Sequence, residues 1–177
     1  MRILTIILLA LSFSFISCGD TQDEESKDYQ SIDAITGLRL IDANGQPLGL
    51  WRDPNDKPTN VFAFPNPNNG AVFIFSEVPM ENIWILNGDC FIDSMNTDII
   101  TLSQSLEFES SDIDAIDIQQ YPVDNATQLT LNLSDLTKGF YRLFVQLNNG
   151  EINWQNIYID PQITTFVDLS ELDAACN

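Results

Sequence analysis

The chain has 177 residues, with seven Lys and Arg against 26 Asp and Glu and no His, a formal charge of −19 at pH 7. Such a charge repels nucleic acid phosphates and anionic headgroups, and no basic stripe offsets it. The lack of His excludes Ser-His-Asp and Cys-His machinery and His-ligated zinc, while 44% apolar and 10% aromatic residues are ample for a folded core.

A mostly apolar run follows Arg2 from residue 3 to residue 16 and ends at Ser17-Cys18-Gly19. It is shorter than the ~20 residues that a helix needs to cross a bilayer, and it suits the apolar region of an export signal. An ordinary signal peptidase would refuse Phe15 at the −3 position. Phe15-Ile16-Ser17-Cys18 instead resembles a bacterial lipoprotein site, in which Cys18 becomes the lipidated first residue of the mature chain. Residues 1–17 are then a signal peptide, and the mature chain keeps six basic and 26 acidic side chains, about −20. An uncleaved anchor or a chance Cys is the alternative. Residues 18–33 are acidic and nearly devoid of apolar side chains, so they are expected to form a disordered tether. Within them Gln22-Asp23-Glu24-Glu25 resembles the acidic export signal of Bacteroidota outer-surface lipoproteins, though a solvated spacer explains the same residues.

Residues 34–177 read as one β domain of ordinary size. Residues 35–41 and 48–51 flank Asn44-Gly45, a strong hairpin signal. The segment 53–58, rich in Asp and Pro, is a loop. Residues 60–64, 71–75 and 82–86 are short aromatic or β-branched runs between breakers, hence strands. Residues 99–108 continue the extended style, whereas the acids of 110–122 suit a loop or a short helix equally. Leu129, Leu131 and Leu133 alternate strictly, as on a half-buried strand. Residues 140–147 and 152–159 flank Asn149-Gly150 as a second hairpin, and a last run spans 163–169. Many short strands and little helix predict an antiparallel β-sandwich. Cys90 and Cys176 are an even pair in an exported chain; a bridge between them is the expectation, and two unrelated thiols the alternative.

Two stretches carry a resemblance. Val61-Phe62-Ala63-Phe64-Pro65-Asn66-Pro67-Asn68-Asn69-Gly70 resembles the opening of the type IX secretion C-terminal sorting domain. Residues 131–145, with Gly139-Phe140-Tyr141, resemble its later strands, and residues 149–159 its closing hairpin. The match spans roughly 61–159. It implies an immunoglobulin-like β-sandwich of the Bacteroidota, consistent with the leader. The sorting role is not carried over, because residues 160–177 follow the final hairpin and the strand at 154–160 lacks a cation. A lipid anchor also makes a second attachment device redundant.

Site candidates are sparse. Glu107, Glu109, Asp112, Asp114 and Asp117 offer hard oxygen ligands for Ca²⁺, as do Asp53, Asn55 and Asp56, but neither set has EF-hand spacing and a solvated acidic face explains them. Trp51, Trp84 and Trp154 are core residues in the plain reading of a sandwich and a sugar-stacking platform in the other. Asp93-Ser94-Met95 resembles a Bacteroidota O-glycosylation acceptor. No phosphate loop is present, and no cofactor or catalytic residue is assigned. The expected function is a lipid-anchored, non-enzymatic envelope protein of the outer membrane, on its periplasmic or outer face, acting as an interaction or structural module. It meets the membrane through Cys18 and a protein or glycan partner. A surface glycan-binding lipoprotein is the second reading, and a carboxylate-dependent hydrolase the third.

Overall fold

The computed structural model describes residues 30–91, 107–116, 119–163 and 168–176. Cys18, most of the tether, Asp93-Ser94-Met95, Asp117 and nearly all of the strand expected at 99–108 lie outside them. The described chain is mostly β, in antiparallel sheets with one short parallel pair. A helical turn α1 (Gln30–Asp33) leads into β1 (Ala34–Ile35), then the hairpin β2 (Leu38–Ile41) and β3 (Pro47–Trp51). There follow β4 (Val61–Phe64), β5 (Ala71–Asn87), β6 (Asp89–Cys90) and α2 (Ser110–Asp114). The chain ends with β7 (Gln119–Asn132), β8 (Gly139–Leu147), β9 (Ile152–Ile159) and α3 (Leu169–Ala175).

The main sheet runs β4-β5-β8-β9, with β7 on the other side of β5. Residues 71–75 and 82–86, read separately from the sequence, are one strand. Ser76-Glu77-Val78-Pro79 contains no glycine that would reverse the chain, and register shifts between Phe75 and Asn82 absorb a bend instead. The first half of β5 pairs with β4, the second half with β8, and β7 accompanies both. The sheet therefore folds over on itself. Val61, Ala63, Val72, Ile74 and Leu131 from one half meet Ile83, Ile85, Leu143, Val145 and Ile157 from the other in a single core.

The opposite face of β8 and β9 is also apolar. Phe140, Tyr158 and Trp51 pack with Ile35, Leu38 and Leu172, while Trp84, Phe144 and Trp154 pack with Ile32, Phe108 and Ile113. That double cover explains why all eight residues of β9 are buried, where a sheet wet on one side would alternate. Ile32 is 2% exposed, so the folded unit includes α1 and begins earlier than the expected residue 34. The stretch 110–122 divides between helix and strand. A capping box between Glu109 and Asp112 starts α2, and β7 takes over at Gln119. Residues 164–167 of the last expected strand lie outside the described residues, and 169–175 are helical with Asp168 as the N-cap.

The outer edge of β4 is sealed by side-chain amides. Lys57 bridges Trp154 antiparallel, residues 59–68 then run beside β9 in its own direction, and Gln155 takes the Ala63 N–H at 3.0 Å and donates to its carbonyl at 2.9 Å. Asn66 does the reverse, accepting from the Tyr158 N–H and donating to the Asn156 carbonyl. Asn153 receives the Thr59 N–H and hydroxyl. The Phe64–Pro65 and Asn66–Pro67 bonds in this segment are cis. At the far end Cys90 is bonded to Cys176, with Cα atoms 5.3 Å apart, which ties α3 to β6.

Candidate functional site

β4 and the first half of β5 turn their small and branched side chains inward and their aromatic ones outward. Phe62 opposes Phe75 and Phe64 opposes Phe73 in the antiparallel register. The Phe64 and Phe73 rings are 5.0 Å apart, tilted by 52°. Phe62 is 44% and Phe75 39% exposed; Phe64 and Phe73 are half-buried. β7 extends the same face with Gln128 beside Phe75, Thr130 beside Phe73 and Asn132 beside Ala71, all of them exposed. None of these eight side chains is charged, in a chain with 33 charged residues. The turn of the β2–β3 hairpin borders the face, since a Cβ on Gly45, at φ +77°, would sit 3.3 Å from the Phe64 ring. Carboxylates stand at its rim: exposed Glu77, two residues beyond Phe75 with its N–H on the Asn60 carbonyl, and Asp42, whose carboxylate is held below its ordinary value by the Gln46 and Asn44 backbone N–H groups. Contiguous exposed aromatics ringed by polar groups mark contact surfaces.

The second unusual feature lies inside. Arg142 projects from β8 between the two outer clusters, is fully buried, and donates to the Ile32 and Ala34 carbonyls and to the side-chain oxygens of Asn55 and Asn156. Burial pulls it down to about 10, so it stays a cation at neutral pH. Nearby Asp56 pairs with Arg39 at 3.0 Å, and burial, opposed by that guanidinium, raises its carboxyl to about 6. Arg142, Asn55, Asn156 and Asp56 are buried, only Arg39 reaches solvent, and together they fasten the 30–58 segment to the sheet. The buried residues have no face on which a substrate could act.

The three tryptophans do not form a sugar platform. Trp51, Trp84 and Trp154 are 3%, 1% and 1% exposed, because each caps one of the outer clusters. Each indole N–H instead holds a covering segment: Trp51 to the Asp173 carboxylate, Trp84 to Asp114 and Trp154 to the Asn55 carbonyl. Nor do the acids converge on a cation. Glu109 and Asp112 are engaged in their capping box, Asp114 accepts from Trp84, and Glu107 is exposed. In the other set Asn55 serves Arg142 and Asp56 serves Arg39, leaving Asp53 exposed. Among the described residues no group of three acids or thiols could hold a metal ion.

Two shallow cavities, of about 300 and 230 Å³, are each lined by one carboxylate among the described residues, Asp33 and Asp135. The phenylalanine face escaped the sequence reading although its alternation was visible, because Val61-Phe62-Ala63-Phe64 is apolar on both sides and does not say which side is wet. Arg142 left a clearer sign, as a lone cation within an otherwise apolar strand. Compared with known proteins, the chain matches no protein family, no curated protein and no solved structure.

Proposed function

We propose that this chain is a lipid-anchored protein of the cell envelope whose single immunoglobulin-like β-sandwich acts as a non-catalytic interaction or structural module. The observation that carries the reading is the charge-free face of Phe62, Phe64, Phe73 and Phe75, four rings left at the surface of a strongly acidic chain. Two halves of an antiparallel sheet folded over a shared core suit a sandwich, and the resemblance over residues 61–159 supports its immunoglobulin-like form and a Bacteroidota origin. Phe15-Ile16-Ser17-Cys18 supports attachment to the outer membrane through lipid on Cys18. Gln22-Asp23-Glu24-Glu25 favours the outer surface over the periplasm.

A hydrolase working with two carboxylates needs them converging within ~5–9 Å, and the two cavities with single acids give that reading no support.

The experiment places a benzophenone amino acid at position 62, and for comparison at exposed position 171, in the full chain expressed in its cells. Irradiation yields adducts from position 62 and not from 171. Equal yields at both, or none, refute a dedicated contact face. In parallel, Cys18→Ser moves the protein from the membrane to the soluble fraction; retention on the membrane refutes the anchor.

A further inference from the structure

The geometry points to a neutral carbohydrate chain as the occupant of the phenylalanine face, an inference that rests on reading that face as the contact surface. Three observations select this occupant.

The described residues that flank the chain's other segments lie elsewhere. Ile32 and Phe108 belong to the cluster around Trp84 and Trp154, while Ile163 and Leu172 belong to the one around Trp51. Phe91 is bonded to the Ile35 carbonyl. These junctions belong to the clusters packed on the outer face of β8 and β9, and none of them is among the residues of the phenylalanine face.

The patch is too small for a second copy. Three strands each ~4.8 Å wide, over four or five residues rising ~3.3 Å each, span about 200 Å², whereas a stable protein interface takes ~800 Å² from each partner. Two copies at −19 would also repel one another around so narrow a contact.

The chemistry of the face is that of a sugar site. Exposed rings at Phe62 and Phe75 meet the C–H faces of pyranoses. Immediately beside them Gln128, Thr130 and Asn132 offer amide and hydroxyl groups for the sugar hydroxyls. None of the eight side chains of the face is a cation that would prefer a sulfated or uronic acid polymer, and the net charge of −19 repels one.

The test is native gel electrophoresis of the purified full chain in gels containing dextran, pullulan, laminarin, xylan or glucomannan, with alginate as the charged comparison. At least one neutral polysaccharide retards the chain and alginate does not. Phe62→Ser/Phe75→Ser weakens retardation about tenfold, equivalent to ~1.4 kcal/mol of affinity. Leu48→Ser/Leu50→Ser, at two exposed leucines of β3, leaves it unchanged. Thr130→Ala and Gln128→Ala, at two exposed positions, each weaken it while the thermal midpoint holds. Absence of retardation by every neutral polymer overturns the inference, and so does retardation that survives the double phenylalanine variant. A dimer in sedimentation that Phe62→Ser/Phe75→Ser abolishes also overturns it, in favour of a second copy. A protein adduct from position 62 together with unretarded gels refutes the carbohydrate while leaving the interaction module standing.

Discussion

Arg142 on β8 places a guanidinium nitrogen 2.8 Å from the side-chain oxygen of Asn55, with both residues at 0% exposure. The contact joins the sheet to the 53–58 loop, and the same guanidinium holds the carbonyls of Ile32 and Ala34 at 2.9 and 2.5 Å. A buried cation is weak evidence of net stabilisation, but removing it strands every acceptor it served. Arg142→Met should therefore cost about 3–5 kcal/mol in urea unfolding. Arg142→Lys should recover only part of that, since a single ammonium cannot span the fork of acceptors.

Asp56 gives the pH profile a distinctive slope. Burial raises its carboxyl to about 6 in the folded chain, from an ordinary 3.8. Between those values the folded state binds more protons than the unfolded one, so this group makes stability fall as pH rises from about 4 to about 6, and the loss is complete above that. A carboxyl raised that far costs the folded state roughly 3 kcal/mol once it is ionised. Asp160 and Asp42 lie below their ordinary values and act with the opposite sign, losing their contribution as pH falls below about 4. Urea midpoints at pH 4, 5, 6 and 7 should show the decline, and Asp56→Asn should flatten it.

Gln155 is the link in the seam that pairs both backbone groups of one β4 residue. Its amide replaces a strand partner for the Ala63 backbone, giving and taking one hydrogen bond. Gln155→Leu keeps the volume and leaves a buried donor and acceptor unmet, at about 1–3 kcal/mol each. Hydrogen exchange should report it locally, through an accelerated Ala63 amide.

The Cys90–Cys176 bridge closes a separation of 86 residues. On the chain-entropy account, reduction should lower stability by about 4 kcal/mol. The first part to loosen should be α3, whose remaining ties include Asp173 to the Trp51 indole and the Arg52 guanidinium. Faster amide exchange in α3 than in β8 after reduction would check the order of loss.

The hairpins at Asn44-Gly45 and Asn149-Gly150 were legible because glycine at positive φ is a local requirement: Gly45 and Gly150 sit at +77° and +86°. Strand type was legible from β-branched and aromatic runs. The union of 71–75 with 82–86 was not, because a bulge leaves no compositional mark and Pro79 reads as a breaker. The buried tryptophans followed from their size, whereas the exposed phenylalanines did not follow from theirs. The two faces of β4 are both apolar in Val61-Phe62-Ala63-Phe64, although only one of them is covered. Only the tertiary cover separates them. Nothing local marks Asn66, Asn153 and Gln155 as buried, since their partners lie some 90 residues away.

The most direct test of the interaction face is the reactivity of a thiol placed on it. Phe62→Cys in the full chain, labelled with a membrane-permeant maleimide, should react about tenfold more slowly in intact cells than in purified protein, as for a site occupied nine-tenths of the time. Leu50→Cys, on the exposed side of β3, should react equally in both. Equal reactivity of Cys at position 62 in cells and in purified protein would contradict the account.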